Sequence, residues 1–169
     1  MNFRDLRKLD RNASSQLNLK HLCGLLPNAP KDVVEQFYVD HGTNSDFYDS
    51  YDDLNISELV WEKKSLPYTT IKDCDLISNP DFENWVSTCC DRTKRVAVNR
   101  DWNKIGQYPS AVINHWEIKN TWLRSPVFLK SENKYRLVEG HSRYGCLKGL
   151  IESGVLEEKS EHLVWVACV

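Results

Sequence analysis

The sequence lacks an apolar run of the roughly 20 residues that a membrane-spanning helix requires. Its first residues also lack the apolar core of a secretory signal, so we expect a cytoplasmic protein without a membrane anchor. A basic excess is missing too, because 22 Lys and Arg residues stand against 24 Asp and Glu residues. Proteins that bind nucleic acid through bulk charge usually carry such an excess. A role in DNA binding would therefore depend only on the local basic cluster Arg92, Lys94, Arg95 and Arg100.

Cysteine pairs at the spacing of a metal or redox site are also missing. The six cysteines are scattered and show no C-x-x-C pattern, so the sequence predicts neither a zinc site nor a disulfide framework. The adjacent Cys89 and Cys90 are more typical of helix packing. Only seven glycines and six prolines occur in 169 residues, too few for a linker-rich chain. We expect one domain over residues 1–169.

Hydrophobic residues make up 41% of the chain and charged residues 27%, which is an ordinary globular mixture. Residues 1–109 are predicted to be mainly helical. Their predicted elements are an amphipathic stretch at Phe3–Leu9, a second at Asn18–Leu26 stopped by Gly24, a helix over residues 31–42 ended by Gly42, a strand within Ile56–Leu66, and a helix opened by Asn79, Pro80 and Asp81.

The segment between residues 43 and 55 is acidic and rich in aromatic residues. Its acids are Asp46, Asp49, Asp52 and Asp53, and its aromatic residues are Phe47, Tyr48 and Tyr51. This composition fits either a solvated loop or an acidic docking face over Asp46–Asp53. A docking face of this kind suits a basic protein partner, through electrostatic steering and aromatic anchors.

The pattern of residues 110–169 predicts a compact α+β arrangement. A helix over Ser110–Leu123 precedes a β-hairpin made of Pro126–Leu129 and Tyr135–Val138, with a polar turn at residues 131–134. A second helix follows Gly140 and ends near Gly154, and His162–Cys168 predicts a closing strand.

The junction between the second hairpin strand and the following helix predicts an anion site. Gly140 permits a sharp turn and a close ligand approach. The first helical turn directs unpaired N–H groups and the positive end of the helix dipole at the same place. Arg143 can add a bidentate donor to a phosphate, and His141 and Ser142 supply an imidazole and a hydroxyl. Alternatively, Ser142 caps the helix, Gly140 is only a turn residue, and Arg143 pairs with Glu139 or another acid.

The segments Pro126-Val-Phe-Leu129 and Tyr135-Arg-Leu-Val-Glu-Gly-His-Ser-Arg143 resemble the ParB/sulfiredoxin superfamily. In that family a "P-[IV]-x-V … Y-x-[LI]-[IV]-[DE]-G-x-x-R" pattern leads into a helix and a closing strand. The resemblance covers residues 111–168. It implies a small mixed β-sheet of ParB/sulfiredoxin type, with nucleotide phosphates bound at the Gly-x-x-Arg turn.

Several positions depart from the family pattern. The ParB box G-E-R-R-x-R-A keeps only Gly140 and Arg143 here, because His141, Ser142 and Gly145 replace its Glu, its first Arg and its later Arg. Sulfiredoxin reads G-C-H-R, and His141 occupies the place of its reactive cysteine, so we do not expect sulfinic-acid reduction. The turn is also similar to the D-G-Q-H-R turn of ParB-like proteins in phage-defence systems, with Glu139 in place of Asp.

The resemblance implies nucleotide binding, with hydrolysis or phosphoryl transfer as its chemistry and ATP or CTP with Mg²⁺ as candidate ligands. Arg143 and the Gly140–Ser142 backbone would hold phosphate. His141 would position a water or take a proton, because an unperturbed imidazole pKa suits that role. Glu139 would hold Mg²⁺ directly or through water, the usual mode for that metal. The alternative is a non-catalytic cytosolic partner, an immunity protein or regulatory subunit on a ParB-like scaffold, since fold does not fix function.

Overall fold

A four-stranded mixed β-sheet organises the fold, which is α+β as the sequence predicts. The structure is a computed structural model, and it describes residues 1–12, 16–76, 80–97, 99 and 110–169. The strands are β1 (Trp61–Pro67), β2 (Val127–Ser131), β3 (Lys134–Glu139) and β4 (Glu161–Cys168). Their order is β1-β4-β2-β3, with β2 parallel to β4 and the other two pairs antiparallel.

Helices account for most of the remaining described residues. They are a 3₁₀-helix at Phe3–Lys8, α1 (Leu19–Leu25), α2 (Lys31–Val33), a π-helix at Val34–Val39, a second 3₁₀-helix at Ser45–Phe47, α3 (Tyr48–Tyr51), α4 (Tyr68–Ile71), α5 (Pro80–Ala97), α6 (Ser110–Lys119) and α7 (His141–Glu152). Because α2, the π-helix and residues 40–41 are continuous, we call them the 31–41 helix. None of the described helices is long and apolar enough to cross a membrane.

Alternate strand residues point to opposite sides of the sheet. Both sides are buried, because a separate hydrophobic core packs on each of them. Val127 and Leu129 pack into a core with the N-terminal helices, which contribute the rings of Phe3 and Phe37. Phe128 points the other way, into a second core that contains residues of α4, α5, α6 and α7. The N-terminal region therefore covers one face of the sheet and also supplies its edge strand β1.

Helices α5 and α7 lie in close contact at two glycines of α7. A Cβ atom at Gly145 would lie 2.5 Å from the carbonyl oxygen of Val86, and one at Gly149 would lie 2.6 Å from that of Cys90. Both distances are shorter than van der Waals contact allows. Glycine at these positions thus lets the backbone of α7 approach that of α5.

Several predicted boundaries differ from the observed ones. Strand β1 starts at Trp61, because residues 56–58 form a turn after Asn55, which bridges to Asn2. Helix α6 ends at Lys119 and not at Leu123, since Asn120 adopts a left-handed conformation with φ of 53°. Gly24 does not stop α1 but lies inside it. The predicted helix start at Asn79 lies outside the described residues.

Candidate functional site

The turn between β3 and α7 lies where the sequence predicts it, and its geometry requires glycine. Gly140 has φ of 105°, in the left-handed region that side chains rarely adopt. A Cβ atom there would also lie 2.7 Å from Cβ of Pro126 and 3.0 Å from Nη2 of Arg143. The chain therefore turns at Gly140 and places His141 at the first position of α7.

Arg143 is held by the protein itself. Its Nη2 donates to Oε1 of Gln36 at 2.6 Å and to Oε1 of Glu139 at 3.4 Å, and its side chain is 18% exposed. The amide nitrogen of Gln36 donates to the carbonyl of Ser125 at 3.2 Å. This buried amide therefore links the 31–41 helix both to Arg143 of α7 and to Ser125, just before β2. Of the two roles that the sequence leaves open for Arg143, these contacts match the pairing role.

Glu139 is an ionised carboxylate between two nitrogen-bearing side chains. Its Oε2 lies 2.9 Å from Nε2 of His41, and its Oε1 accepts from Arg143. Burial by itself would raise the pKa of Glu139, but the hydrogen bond with His41 and the charges of His41 and Arg143 outweigh it, and the pKa is lowered.

The sequence suggests that Glu139 holds Mg²⁺ directly or through water, and its two contacts restrict the direct mode. A metal bound directly to either carboxylate oxygen would compete with His41 or Arg143 for it. Within the described ranges, no group of three His, Cys, Asp or Glu side chains is arranged to hold a metal ion.

His141 is buried at the start of α7. Burial lowers the pKa of its imidazole from 6.5 to about 4, although the negative charge of Glu139 acts to raise it. At neutral pH the ring is uncharged, so it is a weaker base than an unperturbed histidine. Its Nε2 is buried and has no hydrogen-bond partner among the described residues. The ring packs against Phe82 of α5, with centroids 4.6 Å apart.

A pocket of about 350 Å³ opens at the N-terminal end of α7. The turn lines one side of it, with Glu139, His141 and Ser142, and the start of α5 lines the other, with Asp81, Phe82 and Trp85. Nε1 of Trp85 donates to Oγ of Ser142 at 2.5 Å, which joins the two sides. Sequence reasoning assigned Phe82 and Trp85 only to a helix face, because nothing in the local pattern shows that α5 starts beside the turn.

The 31–41 helix is attached to the C-terminal half of the chain by further polar contacts. Arg124 donates to Oδ1 of Asp32 and to Oε2 of Glu35, each at 2.6 Å, and Trp165 donates to Oδ2 of Asp32 at 2.8 Å. Burial opposes ionisation of Asp32, but the bonds from Arg124 and Trp165 outweigh it and lower its pKa. These contacts, like those of Gln36 and His41, have no local sequence signal.

Two of the three aromatic side chains in the acidic segment of residues 43–55 are not at the surface. Phe47 and Tyr51 are buried in the N-terminal core, so neither ring is available as an anchor. Asp52 pairs with Arg7 at 2.6 Å and Asp53 with Arg4 at 2.7 Å. Asp46 is exposed and Asp53 remains accessible, with 85% of its side chain in solvent.

The basic cluster near the end of α5 is a solvent-facing one. Arg92, Lys94 and Arg95 are exposed, and Lys94 pairs with Glu152 of α7 at 2.7 Å. Arg100 lies outside the described residues.

Comparison of the chain with protein-family models, with curated proteins and with solved structures finds no match. The relationship to the ParB/sulfiredoxin superfamily stays a prediction that depends on the motif residues.

Proposed function

We propose that the protein binds a nucleotide, ATP or CTP, with its phosphates at the N-terminus of α7. The observation that carries this proposal is the pocket at the Gly140 turn. The first N–H groups of a helix have no acceptor within the helix, and the positive end of the helix dipole attracts anions. The ParB/sulfiredoxin-like order of strand, glycine turn, helix and strand supports the same location.

The residues of the turn take different roles in this proposal. The backbone of Gly140–Ser142 and the hydroxyl of Ser142 hold the phosphate. Arg143 contributes its charge from behind the turn, where Gln36 and Glu139 hold it in place. The neutral imidazole of His141 positions a water, whose oxygen bonds to the terminal phosphorus as the bond from that phosphorus to the bridging oxygen breaks. The nucleoside diphosphate leaves with the bridging oxygen, and the proton of the water passes to solvent because the ring is a weak base. The reaction is hydrolysis, or phosphoryl transfer where another hydroxyl replaces the water.

A thermal-shift panel with tripolyphosphate, ATP, ADP, CTP and GTP tests the binding. A ligand at 100 times its Kd adds roughly 2.7 kcal/mol of stability. Ser142→Asp places a negative charge where the phosphate would bind, yet an acid in the first helical turn does not harm the helix. Ser142→Asn is the matched neutral control. We expect the Asp variant to fold and lose the ligand shift while the Asn variant keeps it; a wild type that no ligand stabilises refutes the proposal.

A second candidate is a non-catalytic partner protein, such as an immunity protein or regulatory subunit. It is favoured by the internal pairing of Arg143 and Glu139, which satisfies these side chains without a ligand. The exposed acids Asp46 and Asp53 would steer a basic partner. In this case no nucleotide stabilises the wild type, and Asp46→Asn with Asp53→Asn slows association with a basic partner. An association rate unchanged by this double substitution contradicts the candidate.

A further inference from the structure

The outer edge of β1 carries backbone groups that the sheet does not use. β1 lies at one end of the four-stranded sheet, beside β4. The N–H of Trp165 donates to the carbonyl of Pro126, so this residue of β4 directs its backbone to the β2 side. Because hydrogen-bonded and non-hydrogen-bonded pairs alternate in an antiparallel ladder, Lys63, opposite Trp165, directs its own N–H and carbonyl away from β4. Trp61 and Ser65 share this orientation, and no other backbone group of the described residues bonds to these outward groups.

The side chains along this edge are accessible and carry charges of both signs. Glu62 and Lys64 point to the same face of the sheet, and their side chains are 60% and 41% exposed. Val60, directly before the strand, points to that face too and is 68% exposed, although it is apolar. Solvent therefore reaches the edge of β1, and an approaching strand would meet an acid, a base and an apolar side chain.

A second copy of the chain fits this edge in one antiparallel register, with a two-fold axis at Lys63. Ser65 of each copy then lies opposite Trp61 of the other, so the outward N–H and carbonyl groups of all three residues meet in hydrogen-bonded pairs. Glu62 of each copy lies opposite Lys64 of the other, in the non-hydrogen-bonded pairs where side chains are closest. The register therefore satisfies the free backbone groups and makes two pairs of opposite charge.

Neighbouring registers are less favourable. With the axis at Glu62, that acid would face its own copy. With the axis at Lys64, two lysines would face each other, and Pro67, which has no N–H, would occupy a hydrogen-bonded position. In the favoured register Lys63 faces its own copy, but in a hydrogen-bonded pair, where side chains lie further apart. The Nζ atom of Lys63 also lies over the ring of Trp165, 5.3 Å from its centroid.

We infer that two copies of the chain associate edge to edge through β1 and form one continuous sheet with a two-fold axis at Lys63. Lysines on an edge strand discourage pairing with unrelated strands, whereas in this register each acid faces a base. Val60 of each copy lies opposite Leu66 of the other, which removes its apolar surface from water. This association goes beyond the proposed nucleotide binding at the Gly140 turn and does not depend on it.

Sedimentation equilibrium of charge-reversal variants tests the register. The wild type should show a monomer–dimer equilibrium. Glu62→Lys and Lys64→Glu each place like charges opposite each other twice, so each should raise the dimer dissociation constant roughly 10-fold or more. The double variant restores opposite charges and should dimerise like the wild type. Lys134→Glu, an exposed lysine of β3 at the other edge of the sheet, is the matched control and should leave the dissociation constant unchanged.

A mixture of the two single variants separates pairing between copies from the pairing of Glu62 with Lys64 inside one chain. One variant carries only bases at these two positions and the other only acids, so the mixture should associate more tightly than either variant alone. Lys63→Pro removes an N–H that β4 does not use, so it should keep the circular-dichroism spectrum of the wild type and stay monomeric. A wild type that is monomeric up to about 1 mM overturns the inference, and so does a mixture that associates no more tightly than its components.

Discussion

Replacing Arg143 by alanine removes a side chain that joins the turn to the 31–41 helix. The substitution leaves Oε1 of Gln36 without its donor, in a residue that is 1% exposed. It also removes one of the two partners of Glu139, whose remaining contact is with His41. Arg143→Ala should therefore lower stability in the absence of any ligand.

The contacts set the size of this effect. A buried acceptor left unsatisfied costs about 1–3 kcal/mol. The contact with Glu139 is longer, at 3.4 Å, and adds about 1 kcal/mol or less because both side chains are partly exposed. The sum is about 1–4 kcal/mol, which for a chain of this length lowers Tm by roughly 2–16 °C. Arg143→Lys should recover only a fraction of the loss, because an ammonium lacks the planar fork of the guanidinium.

Calorimetric or circular-dichroism melting at pH 7 without nucleotide measures this effect. Arg4→Ala is the matched control, because Arg4 pairs with Asp53 at the surface, where the two side chains are 51% and 85% exposed. An exposed ion pair contributes about 0–1 kcal/mol, so the control should melt close to the wild type. If Arg143→Ala melts no lower than Arg4→Ala, the pairing with Gln36 does not stabilise the fold.

Three further predictions concern the fold. Burial lowers the pKa values of His141 and His162 from 6.5 to about 4. As the pH falls, the unfolded chain binds protons at these residues before the folded chain does, so the free energy of unfolding should be constant above about pH 6.5 and fall towards pH 4. Urea denaturation at several pH values measures this dependence, and His162→Gln should reduce it. Gly149→Ala should lower the free energy of unfolding by about 1–3 kcal/mol, because the added Cβ forces α7 away from α5. Gly24→Ala places its Cβ in open space within α1, so it should raise the free energy of unfolding by up to about 1 kcal/mol. Equal urea midpoints for the two variants contradict the packing argument. A fragment of residues 110–169 lacks β1, the helices that cover one face of the sheet, and α4 and α5 on the other face. Size-exclusion chromatography should therefore show aggregation, and a monomeric fragment that melts cooperatively would refute a single domain.

Local sequence patterns were enough for the elements that depend on neighbouring residues. The alternation around Phe128 and Leu137 predicts the hairpin, and the polar residues between them predict its turn. Gly140 followed by Arg143 marks the strand-to-helix junction, because glycine tolerates the left-handed backbone and the helix begins directly after it. These features occupy short stretches of chain, so the local residue pattern is enough to specify them.

Tertiary packing decided what surrounds that junction. Gln36 lies 107 residues from Arg143 and His41 lies 98 residues from Glu139, and no periodicity relates such distant positions. The sequence around Phe47 does not show that this side chain is buried. Its acidic neighbours are compatible with an exposed segment, and equally with a helix that packs one side on the core and leaves the other in solvent. Whether Arg143 is held by the protein or left to a ligand depends on which groups packing brings within hydrogen-bonding distance, and only the folded chain sets that distance.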